Sequence, residues 1–215
     1  KSFGQFFTRR HIIKTLIELM EINAYDFIGE LYEEVENKQV VYKAKSPKNI
    51  CDPACGTGGF LTEFFKYIKD EAQKHKNYKT IDLSKLASSS FYGYDIYTAN
   101  VTRTKINMYL SGDGFSEIRK ADTLQDQNIN NNKFNYIITN PPYGKGTYTV
   151  NYSFQEGTET VIKPVINNQR LEVNFLVKIV DMLLPKGRAM AIIPDGILEA
   201  TTLSPLRVWL LKYCK

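Results

Sequence analysis

Asn140-Pro141-Pro142-Tyr143 follows directly on Tyr136-Ile137-Ile138-Thr139, a run of β-formers. Two prolines in succession forbid helix and strand ladder alike, so the strand must stop there on a fixed backbone. The Asn140 side chain and the Pro141 carbonyl are acceptors, and the Tyr143 ring offers a π face. Together they suit a planar heteroaromatic amine, gripped through both N–H groups and stacked; the plainer reading is a proline-rich turn closing a strand. Upstream, Asp52-Pro53-Ala54-Cys55-Gly56-Thr57-Gly58-Gly59 leads from a short apolar segment through a glycine-rich turn into a helix. Glycines there allow close approach of a ligand and positive φ, and amides at a helix start favour an anion. The same glycines suit a tight turn made for packing, and their spacing is neither G-x-G-x-x-G nor a P-loop. Asp95, in Gly93-Tyr94-Asp95-Ile96, can take the hydroxyls of a ribose or cap the next helix. Asp122, in Ala121-Asp122-Thr123-Leu124, can accept from the amine of an adenine with Leu124 against the ring, or close a solvated turn.

The elements that must position these residues alternate. Ile12, Ile13, Leu16, Ile17, Leu19 and Met20 recur at helical spacing and predict a helix over 9–22, with a more acidic one over 25–37. Short apolar runs predict strands at 49–52, 91–96, 117–122, 134–140 and 187–194. Between and after them the pattern predicts helices at 58–73, 98–110, 170–184 and 205–213. Strands separated by helices imply an α/β fold with a doubly wound, mostly parallel sheet. In that arrangement all four motifs fall at carboxyl ends of strands, where such sheets bind ligands. Residues 76–90 and 125–133 read as connectors, the latter solvated. Residues 144–169 are too long for a routine loop and read as functional or disordered.

With 215 residues, 43% hydrophobic and 24% charged, the chain can bury one substantial core. A net charge of +5 is compatible with a polyanionic partner without requiring one. Cys51, Cys55 and Cys214 make no disulfide framework, and with only His11 and His75 beside them no metal site is expected. A reducing, cytoplasmic setting is expected. No apolar secretion core opens the chain, and no apolar run approaches the ~18 residues of a membrane span.

The ordered set "GQFFTRR" (4–10), "DPACGTGGFL" (52–61), "GYDI" (93–96), "ADTL" (121–124), "NPPYG" (140–144) and "GRAMAIIPDGIL" (187–198) resembles the amino-group DNA methyltransferases that use S-adenosylmethionine. It is most similar to the N6-adenine enzymes and to the modification subunits of type I restriction systems. The resemblance implies a Rossmann-like methyltransferase fold and methyl transfer to the N6 amine of adenine in DNA, without a metal. It implies that Asp52, Ala54 and Gly56, with Thr57 and Gly58 in the same turn, hold the methionine part of the cofactor. Thr8 would meet its carboxylate, with Gln5 and Phe7 shaping that wall. Asp95 would take the ribose hydroxyls, Ile96 and Leu124 would lie against the adenine, and Asp122 would accept from its amine. Asn140 and Pro141, made rigid by Pro142, would bind the target amine, and Tyr143 would stack on the flipped base. Arg9 stands where the family commonly has proline; Arg9 and Arg10 either meet an anion or form a solvated helix start. The implied organisation is an N-terminal helical segment, 1–47, and a catalytic domain, 48–215, lacking its last strands and a specificity domain. DNA, a separate specificity subunit and a restriction subunit are the implied partners. The same "NPPY" chemistry also fits methylation of a protein glutamine, an RNA guanine or a cytosine N4, and a scaffold that keeps the fold without the reaction is a further alternative.

Overall fold

The computed structural model describes residues 8–28, 30–36, 39–45, 48–74, 90–113, 116–129, 133–146, 153–156, 159–162 and 170–214. The described strands are β1 (Glu30–Glu36), β2 (Gln39–Lys45), β3 (Ile50–Asp52), β4 (Phe91–Asp95), β5 (Glu117–Lys120), β6 (Phe134–Thr139), β7 (Ser153–Glu156), β8 (Glu159–Ile162) and β9 (Leu183–Ala191). The described helices are α1 (Arg10–Leu19), α2 (Tyr25–Ile28), α3 (Gly59–Gln73), α4 (Thr98–Leu110), α5 (Leu171–Met182), α6 (Gly196–Glu199) and α7 (Ser204–Tyr213).

Ile50-Cys51-Asp52 is buried along its whole length, and β3 accordingly takes the centre of a five-stranded sheet of order β5-β4-β3-β6-β9. Every pairing in it is parallel. Alternation along the strands sends neighbouring side chains to opposite faces. Ile50, Phe91, Tyr136 and Ile138 pack with α1, α2, α3 and α4 on one face. Cys51, Tyr94 and Ile137 pack with Ile179 and Met182 of α5 on the other, joined by Phe134 from beyond the irregularity between Phe134 and Tyr136. Helix α3 turns Phe60, Leu61, Phe64, Phe65 and Ile68 inward at helical spacing. Burying each such side chain contributes about 1.5–3 kcal/mol. Phe27 joins this layer, 5.0 Å edge-on from Phe64 and 5.5 Å from the Tyr136 ring on which it stacks. Asp26 fastens the same corner, accepting from Lys48 Nζ at 2.8 Å and from the Tyr136 hydroxyl at 2.7 Å.

The expected strands and helices of the sheet layer form, with ends shifted by a few residues. Three expectations are corrected. The acidic helix over 25–37 is only Tyr25–Ile28; from Glu30 the chain pairs antiparallel, β1 with β2. In the register Glu30 stands opposite Lys45, and Val35 opposite Val40. The run carries Tyr32, Val35, Val40, Val41 and Tyr42, residue types that favour strand over helix. The connector 125–133 is not wholly solvated, since Ile129 is 2% exposed and belongs to the cluster of Phe134 and Met182. Within 144–169, β7 and β8 form an antiparallel pair. The remainder of that stretch from 147, and 75–89, lie outside the described residues. Strand β9 starts at Leu183, four residues before its expected start, and its register with β6 shifts between Phe134 and Tyr136.

Candidate active site

Because the five strands are parallel, their carboxyl ends share one edge. β3 lies between the strand that follows it through α3 and β6 on its other side, and this change of direction opens a crevice. A cavity of about 270 Å³ occupies it. Thr8, Asp52, Ala54, Gly56, Thr57, Asp95, Ile96, Asp122, Leu124, Asn140, Pro141 and Pro142, all expected from sequence, line that cavity. Gln5 and Phe7 lie outside the described residues. Gly58 and Tyr143 are not in the lining, and each holds a neighbour that is.

Asp52, 1% exposed, ends β3. Its Oδ1 accepts from the Ala54 amide at 3.1 Å and from Thr139 Oγ1 at 2.7 Å. Its Oδ2 is buried with no hydrogen-bond partner. Burial pushes the acid up to about 7, against the hydrogen bonds of Thr139 and Ala54 and with a smaller push from the Asp95 charge. A buried acceptor of this kind calls for a cation or a strong donor.

The glycine turn is held from β4 and α4. The Gly56 amide donates to Asp95 Oδ2 at 3.0 Å, Thr104 Oγ1 donates to the Gly56 carbonyl at 2.9 Å, and Asn107 Nδ2 to the Thr57 carbonyl at 2.8 Å. Asp95 faces the cavity and also takes the Tyr97 amide at 2.8 Å and Asn100 Nδ2 at 3.2 Å; it does not cap α4, whose N-cap position is Tyr97. Gly58 sits at φ +81, and a Cβ there would lie 2.7 Å from Thr104 Cγ2. Gly58→Ala is therefore expected to destabilise the fold by about 2 kcal/mol. A melting temperature lower by roughly 4–8 °C in thermal unfolding checks it.

Just past the end of β5, Asp122 Oδ1 accepts from the Leu124 amide at 3.1 Å, and Thr123 Oγ1 donates to the Pro53 carbonyl at 2.6 Å. Leu124 packs with Ala54, Leu171 and Phe175 into an apolar wall. At the end of β6, Asn140 Nδ2 donates to Thr8 Oγ1 at 3.2 Å, and Oδ1 accepts from the Tyr143 hydroxyl at 2.5 Å. Gly144 is pinned behind them, its amide donating to Glu172 Oε2 at 3.0 Å. Arg10 lines the cavity and pairs with the buried Glu63 of α3. One crevice thus joins a carboxylate with a free Oδ2, a glycine turn, an apolar slot and an amide fixed beside two prolines.

A family model for N-6 DNA methylases matches residues 1–204. The chain belongs to the N-6 DNA methylase family. It is 30% identical over 197 residues to the EcoEI methylase subunit, a type I restriction enzyme subunit of Escherichia coli, covering 88% of this chain and 38% of that protein. It is 27% identical over 200 residues to the EcoKI methylase subunit of Escherichia coli K12, covering 91% of this chain and 32% of that one. The chain therefore spans less than two fifths of the length of either relative. In fold, the crystal structure of the EcoKI M protein matches 96% of this chain and 38% of its own, with TM-score 0.65 at 24% identity. A type I restriction-modification methyltransferase subunit from Streptococcus thermophilus matches 99% of this chain and 40% of its own, with TM-score 0.59 at 16% identity.

Several residues around the cavity escape a reading by motif. Asn100, Thr104 and Asn107 brace the glycine turn and Asp95 from α4; their signal is a polar stripe at i, i+4, i+7, two members of which are buried. Thr139, Glu172 and Phe175 lie in runs that read as plain strand or helix, and nothing local marks them out. Cys51 and Cys55 are both buried, and burial pushes both thiols well above their ordinary range. Among the described residues no group of His, Cys, Asp and Glu could hold a metal ion, and no helix is long and apolar enough to cross a membrane.

Proposed function

We propose that this chain is the catalytic core of an adenine-specific DNA methyltransferase of a restriction-modification system, using S-adenosylmethionine. The observation that carries the reading is the single cavity in which the Asp52 side and the Asn140 side meet. The residues present fit the cofactor. The unpaired Asp52 Oδ2 offers a place for its α-ammonium, and Gly56 and Thr57 leave backbone room beside it. Arg10, held by Glu63, puts a positive charge at the wall for the carboxylate end. Asp95 would take ribose hydroxyls, and Ile96, Leu124 and Asp122 would hold the adenine. When bound, the cofactor supplies a methyl group on a positively charged sulfur, which leaves as a neutral thioether.

The chain's own residues do the rest. An exocyclic adenine amine is a poor nucleophile, because its lone pair is delocalised into the ring. Asn140 Oδ1 and the Pro141 carbonyl, accepting its two N–H bonds, turn the nitrogen toward sp³ and free that pair. The prolines fix the backbone that carries the Pro141 carbonyl, so that acceptor needs no reorganisation. Asn140 is not a base, since an amide has no useful pKa, so the surplus amine proton goes to solvent after transfer. A duplex base cannot enter such a cavity, so the nucleotide must leave the stack, and the Tyr143 ring offsets part of the lost stacking.

Residues 1–47 serve as an N-terminal segment that completes the wall of the catalytic domain, 48–215. Sequence specificity comes from a separate subunit, and a restriction subunit shares the complex in the cytoplasm. The relatives named as type I restriction enzyme methylase subunits support this division of labour. The native complex, incubated with methyl-labelled cofactor and unmethylated host DNA and digested to nucleosides, is expected to yield labelled N6-methyladenine. Label in N4-methylcytosine, in RNA or in a protein glutamine overturns the reading.

A further inference from the structure

An asparagine amide has two ends of similar size and opposite chemistry, an acceptor oxygen and a donor NH₂. A half-turn exchanges them, and one orientation alone presents the oxygen to an incoming amine. Asn140 is held at both ends. Its nitrogen donates to Thr8 Oγ1 at 3.2 Å, and its oxygen accepts from the Tyr143 hydroxyl at 2.5 Å. The same hydroxyl lies 3.1 Å from the Ile192 carbonyl oxygen. A phenol has one proton and can serve one of these acceptors at a time.

We infer that Thr8 and Tyr143 are positioning residues that act through Asn140: Thr8 holds the nitrogen end, and the Tyr143 proton covers Oδ1 until a target amine replaces it and the proton turns to the Ile192 carbonyl. This rests on Asn140 being the amine acceptor. It moves Thr8 from the cofactor carboxylate to the substrate half of the site, and it gives Tyr143 a task beyond its ring.

The surroundings favour both parts. Burial, and after it the nearby Glu172 charge, pushes the Tyr143 phenol up, so it keeps the proton it must donate. Ile192 is tied to the same strand end as Asn140, its amide donating to the Thr139 carbonyl at 3.1 Å. The second acceptor is thus part of the sheet, and the hydroxyl can change partner without being left unpaired in a half-buried place. Thr8 precedes α1, whose Ile13 and Ile17 sit in the main core cluster, so the hydroxyl that holds the amide is itself anchored.

Single-turnover methylation by the full-length protein in its native complex tests this, on a duplex carrying the motif that the host methylates. Thr8→Val is expected to lower the rate about tenfold, the scale of one hydrogen bond that fixes a reacting geometry, with the cofactor and DNA dissociation constants within about twofold. Thr8→Ser, which keeps the hydroxyl, is expected to restore most of the rate. Tyr143→Phe should also slow transfer while keeping the fluorescence of an extruded 2-aminopurine at the target position, because the ring remains. Asn140→Asp presents two equivalent oxygens with no orientation to fix, so Thr8→Val should cost nothing further in that background. Thr8→Val at wild-type rate, or slowed only in step with weaker cofactor binding, overturns the role of Thr8. A rate penalty for Thr8→Val that persists in Asn140→Asp does the same. Tyr143→Phe at wild-type rate overturns the role of the phenol. If Asn140→Ala is inactive in any of these cases, the amine-acceptor reading stands while the positioning fails; if it is fully active, that reading itself has failed.

Discussion

Asn140→Ala is expected to slow methyl transfer by roughly two to three orders of magnitude, the loss typical when one preorganised polar contact to a reacting group is removed. Cofactor affinity should stay within about twofold, because the cofactor side is braced independently of Asn140. Asp52 is set by Ala54 and Thr139, and Gly56 by Asp95 and Thr104. Folding should be little affected, since Asn140 is partly exposed and the Tyr143 hydroxyl keeps the Ile192 carbonyl within 3.1 Å. Single-turnover transfer beside a calorimetric cofactor titration checks the split. Transfer at the wild-type rate would remove Asn140 from the chemistry. Equal losses in both measurements would make it a cofactor residue instead.

The second large effect belongs to Asp52. Its folded acid is raised from the ordinary 3.8 to about 7, chiefly by burial. The folded chain therefore holds a proton that the unfolded chain releases, and the ligand-free protein loses stability as pH rises from near 3.8 through about 7. A cofactor ammonium favours the charged form, so cofactor binding should run the other way, tightening as pH rises through about 7 and weakening again once the ammonium itself loses its proton at about 8. Asp52→Asn keeps an oxygen for Ala54 and Thr139 but places an NH₂ where the cation would go. The variant is expected to melt roughly 5 °C higher than the wild type at alkaline pH without cofactor. It should bind cofactor about tenfold to a hundredfold more weakly, without the tightening through about pH 7. Calorimetric titrations from about pH 5.5 to 8.5 test this. A flat wild-type profile, or an Asp52→Asn variant with unchanged affinity, would mean that Oδ2 meets no cation.

The sheet layer and the position of the site were legible because each depends on local pattern. Short buried runs such as Ile50-Cys51-Asp52 and Tyr136-Ile137-Ile138-Thr139 can only be inner strands, and the motifs stand at their carboxyl ends. What was missed depends on partners distant in sequence. The β1–β2 ladder reads as an acidic helix until Glu30 is set opposite Lys45. Ile129 looks like a stray apolar residue among polar ones until Phe134 and Met182 close over it. Thr8 and Asn140 are 132 positions apart, and nothing near either says that they touch. Motif order gave the residues facing the cavity. It could not give the Thr8 and Tyr143 hydroxyls their partners, because a hydrogen bond between loops follows from the packing of whole layers.

The seating of α1 has a thermodynamic consequence. Ile13, Ile17 and Met20 share one buried cluster with Phe64 and Phe91, while Thr8 and Arg10, at the head of the same helix, face the cavity. Undocking this helix and filling the cavity are therefore two equilibria with a common term. By reciprocity, a ligand that leans on Thr8 or Arg10 must raise the free energy of local opening of the helix by as much as a docked helix raises the ligand's affinity. Docking of α1 and filling of the cavity thus strengthen one another through Thr8 and Arg10.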